Sequence, residues 1–414
     1  MSAEIDVIIV GGGAAGIGAA RRLARAKRSA LVLEAASRVG GRAWTEDIAG
    51  FPLDYGCGWL HSADRNSWVS IAELTGVAID RGHPAWGNQY RDLGFTSAEQ
   101  VAARQAFAAW IERLATNPPP SDCAADALTP HGEWNSYVQA MSGFISGEVL
   151  GCLSVADYMA YHTASTGLNW RVPSGYGTLV AASFPTTVAL HVATPAEAID
   201  IKDRGVTVTT PAGPIRARAV ILTVSTAVLA RGAIKLPAAL DIWRDAAAKL
   251  PLGYNEKLFL EILDTGPFES ETYVIGNPRE MGTGAYYIRP FGRPIIECFL
   301  GGNSARVVEE SGPAAAFAFA LEQLVALFGS SVCRKLRPLV ASNWSNTTRV
   351  GGAYSYALPG HAAARKALAQ SFEQCLFFAG EATHPFDFST AHGAYETGVR
   401  AAEEAIAALT NSPV

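Results

Sequence analysis

Three glycines near the start of the chain have the spacing of a phosphate-binding turn. Gly11, Gly13 and Gly16 complete the pattern G-x-G-x-x-G directly after the apolar run Ile5–Val10. After a buried strand, this pattern allows a tight turn, a close approach of pyrophosphate to the backbone and close packing of a helix on the strand. Residues 14–26 are rich in Ala, Leu and Arg and predict that helix, whose N-terminus would bind phosphate. The chemistry indicated is dinucleotide binding.

A carboxylate and a basic loop extend this motif. Glu34 follows the second predicted strand, Ala30–Leu33. There it would accept hydrogen bonds from the ribose hydroxyls of adenosine and would repel a 2′-phosphate, which argues against NADP. The segment R-V-G-G-R comes next and supplies Arg38, Gly40, Gly41 and Arg42. Its guanidiniums could hold further phosphate, with a solvated basic loop as the alternative; an unrelated glycine-rich turn would explain the glycines but not Glu34.

A second group of motifs lies near the C-terminal end. The segment F-F-A-G-E-A-T covers 377–383, and S-T-A-H-G-A-Y-E-T-G covers 389–398. We expect a last buried strand at 376–379 and a last helix at 392–409. The N-terminus of that helix would favour negative charge on a bound group. A helix that only packs on the core would explain the apolar pattern but not the Gly-Glu and Thr-Ala-His-Gly that precede it.

The elements that position these segments form two predicted domains. A chain of 414 residues exceeds one usual hydrophobic core. We expect a nucleotide-binding domain assembled from 1–80, 190–240 and 365–414, and a substrate-binding domain made of 81–189 and 241–364. Helices are predicted over 95–165 and 307–328. Further strands are expected at 188–201, 206–210, 215–222, 258–263, 285–289 and 295–300, with a hairpin turn at 202–205.

Composition and charge narrow the classes of partner. The net charge of −5 gives no electrostatic footprint for nucleic acid or an anionic membrane. No apolar run reaches the roughly 18 residues of a membrane-spanning helix, so none is expected, and a first strand that begins at Ile5 leaves no room for a signal peptide. The six cysteines are scattered without C-x-x-C or metal-ligand spacing. We therefore expect reduced thiols, a cytoplasmic location, no membrane or nucleic-acid partner and no metal.

In several motifs the chain resembles the flavin-containing amine oxidase family, which includes monoamine oxidases, polyamine oxidases, flavin-type histone demethylases and L-amino-acid oxidases. The N-terminal motifs are followed, in order, by L-D-Y-G-C-G-W-L-H (53–61), L-G-Y-N-E-K (252–257), V-G-G-A-Y-S (350–355), F-A-G-E-A-T (378–383) and H-G-A-Y-E-T-G (392–398). The resemblance implies an α/β protein with a discontinuous Rossmann-like FAD-binding domain. It also implies an α+β substrate domain that has a mixed sheet and a helical insertion.

The same resemblance implies the residues that contact FAD. Gly380 and Glu381 would contact its ribityl–phosphate part, and the backbone around Thr390 and Ala391 would face the pyrimidine ring of the flavin. The full set implied is Gly11, Gly13, Ala14, Ala15, Gly16, Glu34, Ala35, Arg38, Gly40, Gly41, Arg42, Trp59, Ala196, Gly380, Glu381, Thr390 and Ala391. Monoamine oxidases attach FAD through the cysteine of G-G-C-Y. Ala353 stands at that position here, so FAD is expected to bind non-covalently.

Four residues are expected at the reacting end of the cofactor. Lys257 resembles the family lysine that holds a water beside flavin N5, where it would assist reoxidation by O2 or position the water; a solvated lysine is the alternative. Tyr354 matches one of two tyrosines that flank the substrate and could guide an amine with its ring face, with a core aromatic as the alternative. Thr390 replaces the second tyrosine, so half of that cage is missing. His61 completes G-x-x-W-x-H, a pattern of animal polyamine oxidases, with a structural histidine as the alternative.

The departures from the family narrow the function. Trp59 stands where amino-acid oxidases carry an arginine for the substrate carboxylate, which argues against amino acids. We expect an amine oxidase in which a hydride passes from the amine α-carbon to flavin N5, the imine hydrolyses and O2 becomes H2O2, with a polyamine or secondary amine favoured. The alternatives are a dehydrogenase or desaturase with another acceptor, a primary monoamine oxidase, and a flavin-bound interaction module without turnover. Glu133 and Glu148 lie in the helical region where a second ammonium could bind, but surface carboxylates are the simpler interpretation.

Overall fold

The computed structural model describes residues 5–202 and 205–411. The strands are β1 (Ile5–Val10), β2 (Ala30–Leu33), β3 (Thr45–Ile48), β4 (Phe51–Asp54), β5 (Trp59–His61), β6 (Asn169–Arg171), β7 (Ala189–His191), β8 (Ala198–Lys202), β9 (Gly205–Thr210), β10 (Gly213–Leu222), β11 (Asn255–Ile262), β12 (Thr272–Ile275), β13 (Ala285–Ile288), β14 (Ile295–Gly301), β15 (Leu336–Ala341) and β16 (Leu376–Phe378). The helices are α1 (Ala14–Arg25), α2 (Ser67–Thr75), α3 (Ser97–Thr116), α4 (Asn135–Ser146), α5 (Val155–Ala164), α6 (Tyr176–Ala182), α7 (Thr226–Ala230), α8 (Asp241–Ala248), α9 (Asn303–Phe328), α10 (Ala364–Leu368) and α11 (Ala391–Asn411).

The larger sheet holds the first glycine motif at its centre. Its strand order is β7-β2-β1-β10-β9-β8, and β16 pairs with the second half of β10. The pairs among β7, β2, β1, β10 and β16 are parallel, whereas β8, β9 and the first half of β10 form an antiparallel meander. These strands come from three separate stretches of the chain, as expected for a discontinuous α/β domain. The domain boundaries themselves stay a prediction.

The centre of this sheet is covered on both faces. The strand β1 reads I-D-V-I-I-V and is buried from Val7 to Val10, which is typical of a parallel strand between two helical layers. On one face, α1 and α11 approach each other so closely that glycine is required. A Cβ on Gly398 would lie 1.9 Å from the carbonyl oxygen of Ala15, and one on Gly18 would lie 2.3 Å from that of Tyr395. The first and last helices are therefore packed backbone against backbone.

The segment 188–201, predicted as one strand, forms two. Strand β7 pairs in parallel with β2, and β8 forms a hairpin with β9. The break falls at Ala193, which has a positive φ of 50°, and at Pro195, which has no N–H to donate to a ladder. The hairpin agrees with its prediction, although residues 203 and 204 of its turn lie outside the described residues.

The smaller sheet has the order β12-β13-β14-β11-β15 and is antiparallel in every pair. The expectation of a mixed sheet is therefore wrong. Consecutive strands β12, β13 and β14 are joined by short connections, and parallel pairing would need a crossover helix between them. Helices α3 and α4 pack on this sheet through an aromatic cluster that includes Trp134, Tyr137, Tyr273 and Tyr287.

Helix α9 differs from its prediction in two respects. It begins at Asn303, and it is broken at Gly312, whose φ is 80°, directly before Pro313, which cannot donate a helical hydrogen bond. Within 5–202 and 205–411 it is also the one helix long and apolar enough to cross a membrane, which the sequence analysis did not expect. Ala320 and Leu324 are buried against the smaller sheet. Length and composition alone do not distinguish such a core helix from a spanning one.

Candidate active site

A cavity of about 1400 Å³ lies between the two sheets and the helical layer. Its wall includes the glycine turn after β1 at one end, and β11, β13, β14 and helices α3, α4 and α5 at the other. The usual volume of a small-molecule site is about 300–1,000 Å³. This cavity therefore has room for a dinucleotide and a substrate together.

The two N-terminal glycine segments form one continuous cradle. The backbone N–H of Gly40 donates to the carbonyl oxygen of Gly12 at 2.8 Å. A Cβ on Gly41 would lie only 3.1 Å from the Cα of Gly13. The guanidinium of Arg38 is fixed behind this cradle by the carbonyl of Gly41 at 2.9 Å. No side chain separates the two backbone segments, and a turn of this kind suits a pyrophosphate.

Glu34 is oriented by backbone donors at the end of β2. Its Oε2 accepts a hydrogen bond from Gly12 N at 2.6 Å, and its Oε1 accepts one from Ala36 N at 2.7 Å. The side chain also lines the cavity. Because a carboxylate has about four lone-pair positions, two remain for the hydroxyls of a ribose.

An ion pair joins the first and last segments of the chain beside the cavity. Arg42 Nη1 lies 3.0 Å from Glu381 Oε1, and Ser355 Oγ donates to the other carboxylate oxygen at 2.6 Å. Burial alone would raise the pKa of Glu381, but the guanidiniums of Arg42 and Arg365 outweigh it and lower that pKa. Glu381 is thus a charged carboxylate, and it fixes the turn between β16 and α11 by accepting from Ser389 N.

The structure brings nearly all predicted cofactor residues to this cavity. Those that line it are Gly11, Gly13, Ala14, Ala15, Glu34, Ala35, Arg38, Gly40, Gly41, Arg42, Trp59, Ala196, Gly380, Glu381, Thr390 and Ala391. Gly16 does not line it. A Cβ there would lie 1.9 Å from the carbonyl oxygen of Gly11, so its part is to let α1 pack on the turn. Trp59 lies at the end of the cavity opposite the glycine turn, which we call the aromatic end. Its ring centroid is 4.1 Å from that of Trp86, and its contact with the cofactor stays a prediction.

Lys257 lies inside β11 and is 6% exposed. Its Nζ is 2.7 Å from Glu297 Oε1 on the neighbouring strand β14. A Cβ on Gly58 would lie 3.0 Å from the same ammonium, which places Lys257 beside the segment 56–59. Burial would lower the pKa of Lys257, but the carboxylates of Glu297 and Asp54 outweigh it and raise that pKa. The ammonium is therefore a fixed positive charge in the cavity wall.

Two carboxylates of this site were missed by the sequence analysis. Burial raises the pKa of Asp54, while Lys257 and the hydroxyl of Thr45 oppose that shift. Glu297 becomes a neighbour of Lys257 only through the pairing of β14 with β11. One signal was available for it: Glu297 is the single charge in the apolar run I-I-E-C-F-L, where a buried partner could have been expected.

His61 lies at the aromatic end, on β5. Its Nδ1 is 2.7 Å from Asn169 Oδ1, and Asn169 Nδ2 donates to the carbonyl of Gly167. This network assigns the proton of the neutral ring to Nδ1 and leaves Nε2 as an acceptor. Burial lowers the pKa of His61 to about 4. His61 is therefore neutral at pH 7.

Tyr354 and Thr390 both line the cavity, but neither offers a free hydroxyl. Tyr354 Oη donates to the carbonyl of Phe144 at 2.7 Å, which leaves its ring as the exposed part. Burial raises the pKa of Tyr354 well above its ordinary value. Thr390 Oγ1 donates to the carbonyl of Asp387 at 2.6 Å and accepts from Gly393 N at 3.0 Å, so it caps the N-terminus of α11.

Neither Glu133 nor Glu148, which flank α4, lines the cavity. Glu133 is exposed and pairs with Arg279, as expected for a surface carboxylate. Glu148 is only 3% exposed and pairs with Arg306 at 2.6 Å, so its assignment to the surface is wrong. A charge can be buried in this way because the guanidinium satisfies it. Neither side chain is placed to bind a second ammonium in the cavity.

The fold also assembles a group that sequence spacing did not reveal. His384, Asp387 and Glu396 hold ligand atoms within 4.8 Å of one another. However, Arg65 pairs with both oxygens of Asp387, and His384 Nδ1 accepts from Asp387 N at 2.7 Å. Because these ligand atoms already have partners, we assign no metal to the group.

Two family models match the chain. A family described as flavin containing amine oxidoreductase matches residues 84–406. A second family, described as NAD(P)-binding Rossmann-like domain, matches residues 9–74. Residues 75–83 lie between the two matches, and the larger match includes strands of both sheets.

The chain is similar to several curated enzymes. Polyamine oxidase 2 of Arabidopsis thaliana is 27% identical, with 96% of this chain and 87% of that protein covered. Polyamine oxidase 4 of Oryza sativa subsp. japonica is also 27% identical, with coverages of 96% and 88%. Pseudooxynicotine dehydrogenase of a Pseudomonas species is 40% identical over a short stretch, 16% of this chain and 14% of that protein.

Proposed function

The chain belongs to the family of flavin-containing amine oxidoreductases, and we propose that within this family it is an oxidase that uses O2 as its final electron acceptor and releases H2O2. The observation that carries this proposal is one cavity with two ends. One end is built for a dinucleotide, and the other combines aromatic side chains with a buried lysine. The proposed reaction converts an amine into an aldehyde and a smaller amine or ammonia.

The cofactor of the protein is FAD, bound without a covalent link, and Ala353 offers no thiol for one. The glycine cradle, Glu34 and the Arg42–Glu381 pair fit the dinucleotide by their geometry. When bound, FAD would supply the acceptor for a hydride from the α-carbon of the amine. The side chains of the protein supply orientation, a dry environment and fixed charges.

The amine would be oriented by aromatic faces and by one histidine nitrogen. The rings of Tyr354, Trp59 and Trp86 line the aromatic end and can attract a cationic or polar amine. His61 Nε2 is an acceptor for an amine N–H, because Nδ1 is committed to Asn169. A ring with a pKa near 4 holds a proton poorly at pH 7, so His61 acts as an acceptor and not as a proton store.

Lys257 would act as a fixed cation and not as a base. Its pKa is raised, so it keeps its proton at neutral pH. A positive charge in the cavity wall stabilises negative charge that develops on oxygen or on the cofactor. The N-terminus of α11, which Thr390 caps at the cavity wall, contributes in the same direction. We propose that these charges assist reoxidation by O2.

Of the two substrate classes favoured by the sequence, the secondary amines are better supported than the polyamines. The relatives are named polyamine oxidases, but the fully described segment 81–165 contributes no carboxylate to the cavity wall. At the aromatic end, Glu297 and Asp54 are the carboxylates in the wall, and both already neutralise Lys257. A long polycation would find few partners there.

A cytoplasmic location and the absence of nucleic-acid and membrane partners stay predictions.

A dehydrogenase with an acceptor other than O2 is the second candidate. The observation that favours it is the pairing of Lys257 with Glu297, because a neutralised ammonium stabilises negative charge less than a free one does. The two candidates share the oxidation of the amine and differ only in the fate of the electrons. Primary monoamines enter the same test as a third substrate class.

The test measures the two half-reactions separately. The FAD-loaded protein is mixed without oxygen with spermine, spermidine, putrescine, N-acetylated polyamines, benzylamine and N-methylated arylalkylamines, and loss of flavin absorbance is followed. The reduced protein is then mixed with air-saturated buffer, and H2O2 is measured. Bleaching with fast recovery in air supports the oxidase, and bleaching with recovery only after addition of a quinone or dye supports the dehydrogenase. No bleaching with any amine would refute both.

A further inference from the structure

An exposed guanidinium lies in the wall of the cavity. Arg104 of α3 lines the cavity and is also exposed to solvent. Its Nη1 donates to the carbonyl of Gly87 at 2.9 Å. Within 5–202 and 205–411, its other N–H groups have no hydrogen-bond partner, and no carboxylate forms an ion pair with it. Because a guanidinium carries five N–H donors, the edge formed by Nε and Nη2 is open to a ligand.

Arg104 lies where the cavity opens to solvent. Trp86 and Gly87 are, like Arg104, both exposed and part of the cavity wall. The indole of Trp86 contacts that of Trp59, with 4.1 Å between the ring centroids. Gly87 follows Trp86 directly and is the residue whose carbonyl Arg104 holds. These residues therefore form a mouth at the aromatic end, where a ligand can reach the guanidinium.

The rings of Trp86 and Trp59 connect this mouth with the reacting end of the cavity. Trp59 follows Gly58, and a Cβ on Gly58 would lie 3.0 Å from Lys257 Nζ. A substrate that extends along the two indoles would have one end near Lys257 and the other near Arg104. An apolar path with a polar group at each end fixes the orientation of a ligand.

The other cations in this part of the wall have carboxylates beside them. These cations, each with the carboxylates that act on it, are Lys257 with Glu297 and Asp54, Arg293 with the same two, and Arg171 with Asp80 and Glu271. In the part of the chain that the structure describes, Arg104 has no such partner. Its positive charge therefore attracts an anionic group to the mouth and repels a second ammonium.

We propose that Arg104 is a specificity-determining residue that binds a carboxylate carried by the amine substrate at the end away from its nitrogen. The open edge of the guanidinium matches a carboxylate with two parallel hydrogen bonds. This inference rests on the proposed function, because it assumes that the cavity oxidises an amine. It names the substrate class as an ω-(alkylamino) acid. An α-amino acid does not fit, since its carboxylate would stay beside the reacting nitrogen and away from the mouth.

A series of acid and amide pairs tests the inference on the unmodified holoenzyme. The ω-(methylamino)alkanoates of four to ten carbons are compared with their primary amides, which have the same amine and nearly the same size but no charge at the far end. At one length or more, we expect KM for flavin reduction, and the dissociation constant from calorimetry, to be about three- to tenfold lower for the acid. Equal values for acid and amide at every length, or tighter binding of spermidine than of every acid, would overturn the inference.

Salt separates a charge effect from a difference in shape. At about 1 M salt the Debye length is about 3 Å, so the advantage of the acid should shrink toward unity at this exposed mouth. An advantage that salt does not reduce would contradict binding by the guanidinium.

Three variants assign the effect to one side chain. In Arg104→Gln we expect the ratio of the acid and amide KM values to approach one, whereas Arg104→Lys keeps the charge and should keep part of the preference. Loss of the bond to Gly87 alone would change both KM values alike and leave their ratio intact. Arg113→Gln is the matched control, because Arg113 lies on the same helix, holds the carbonyl of Ala127 at 2.7 Å and does not line the cavity. A preference that survives in Arg104→Gln, or that is lost equally in Arg113→Gln, would refute the role of Arg104.

Failure of this inference is distinguishable from failure of the proposed function. If acids and amides reduce the flavin without oxygen at equal KM, amine oxidation stands and the part of Arg104 is refuted. If the acids bind more tightly in calorimetry but no amine reduces the flavin, the binding position stands and the proposed oxidation is refuted for this substrate class.

Discussion

At the scale of single residues, the site depends on how buried charges are paired. Lys257 could be predicted from the sequence, because it stands in a motif and precedes an apolar run. Its partner Glu297 could not, because 40 positions separate them and only the register of two antiparallel strands brings them together. Sequence patterns reveal residues near one another in the chain, whereas buried ion pairs are made by residues that are distant in it.

Replacement of Lys257 by methionine should slow the return of electrons to O2. The variant loses the fixed positive charge, so we expect reoxidation of the reduced flavin to slow by at least about tenfold. Stopped-flow traces of reduction and reoxidation measure the two steps separately. Lys249→Met, at an exposed position, is the control and should leave both rates unchanged. Unchanged reduction and reoxidation rates in Lys257→Met would remove the lysine from the mechanism.

His61 predicts a pH dependence of stability. Its pKa is lowered from 6.5 to about 4 by burial, so between these values the unfolded chain binds more protons than the folded one. The contribution of His61 is therefore constant above pH 6.5 and is lost as the pH falls toward 4. Between pH 7 and pH 5 this loss amounts to about 2 kcal/mol.

Urea unfolding of wild type and His61→Gln at pH 7 and pH 5 measures this loss. Glutamine at position 61 does not titrate between pH 7 and pH 5, so acidification should destabilise the variant less than it destabilises the wild type. His83→Gln, in an exposed loop, should behave like the wild type. An equal acid destabilisation in all three proteins would show that His61 is not held neutral by burial.

At the scale of elements, the parallel strands and long helices followed from apolar runs and glycine motifs, and the exceptions have local causes. The break in α9 at Gly312 lies inside an otherwise helical pattern, where a following proline ends the ladder of hydrogen bonds. The split of 188–201 occurs because the residues between β7 and β8 bind the Glu34 turn. There Thr194 N donates to the carbonyl of Glu34 at 2.8 Å. A single sequence does not show that the residues between β7 and β8 donate hydrogen bonds to the turn after β2.

The contact of α1 with α11 should not tolerate a methyl group. In Gly398→Ala, the new Cβ would overlap the carbonyl of Ala15, and we expect a loss of about 1–3 kcal/mol in the free energy of unfolding. Denaturant unfolding of the FAD-loaded protein measures it. Gly151→Ala is the control, since a Cβ there meets open space, and it should stay within about 0.5 kcal/mol of wild type. Equal stability of the two variants would mean that the helices can separate without cost.

At the scale of the whole molecule, the cavity joins the two sheets, so a bound cofactor stabilises both at once. The fold class and the FAD end could be predicted because glycine turns and Glu34 follow one another closely in sequence. The substrate end could not, because its wall combines β6, β13, β14 and three helices from distant parts of the chain.

Thermal stability should therefore depend on the concentration of FAD. Cofactor-free protein is titrated with FAD, and the melting temperature should rise continuously, by the equivalent of about 2.7 kcal/mol at 100 times the dissociation constant. FMN lacks the adenosine that Glu34 would bind and should stabilise less at the same concentration. A melting temperature independent of FAD, or equal for FAD and FMN, would contradict the placement of the adenosine at Glu34.

The position of β10 in the larger sheet also bears on how the protein is made. This strand lies near the middle of the chain, yet it pairs with β1 from the beginning and with β16 from near the end. Likewise, α1 cannot complete its packing until α11 has been synthesised. A nascent chain emerging from the ribosome therefore presents the apolar β1 and β2 long before their final neighbours exist. The cofactor-binding half is complete only after residues 391–411 have been added, and until then the growing chain exposes apolar strands to which chaperones can bind.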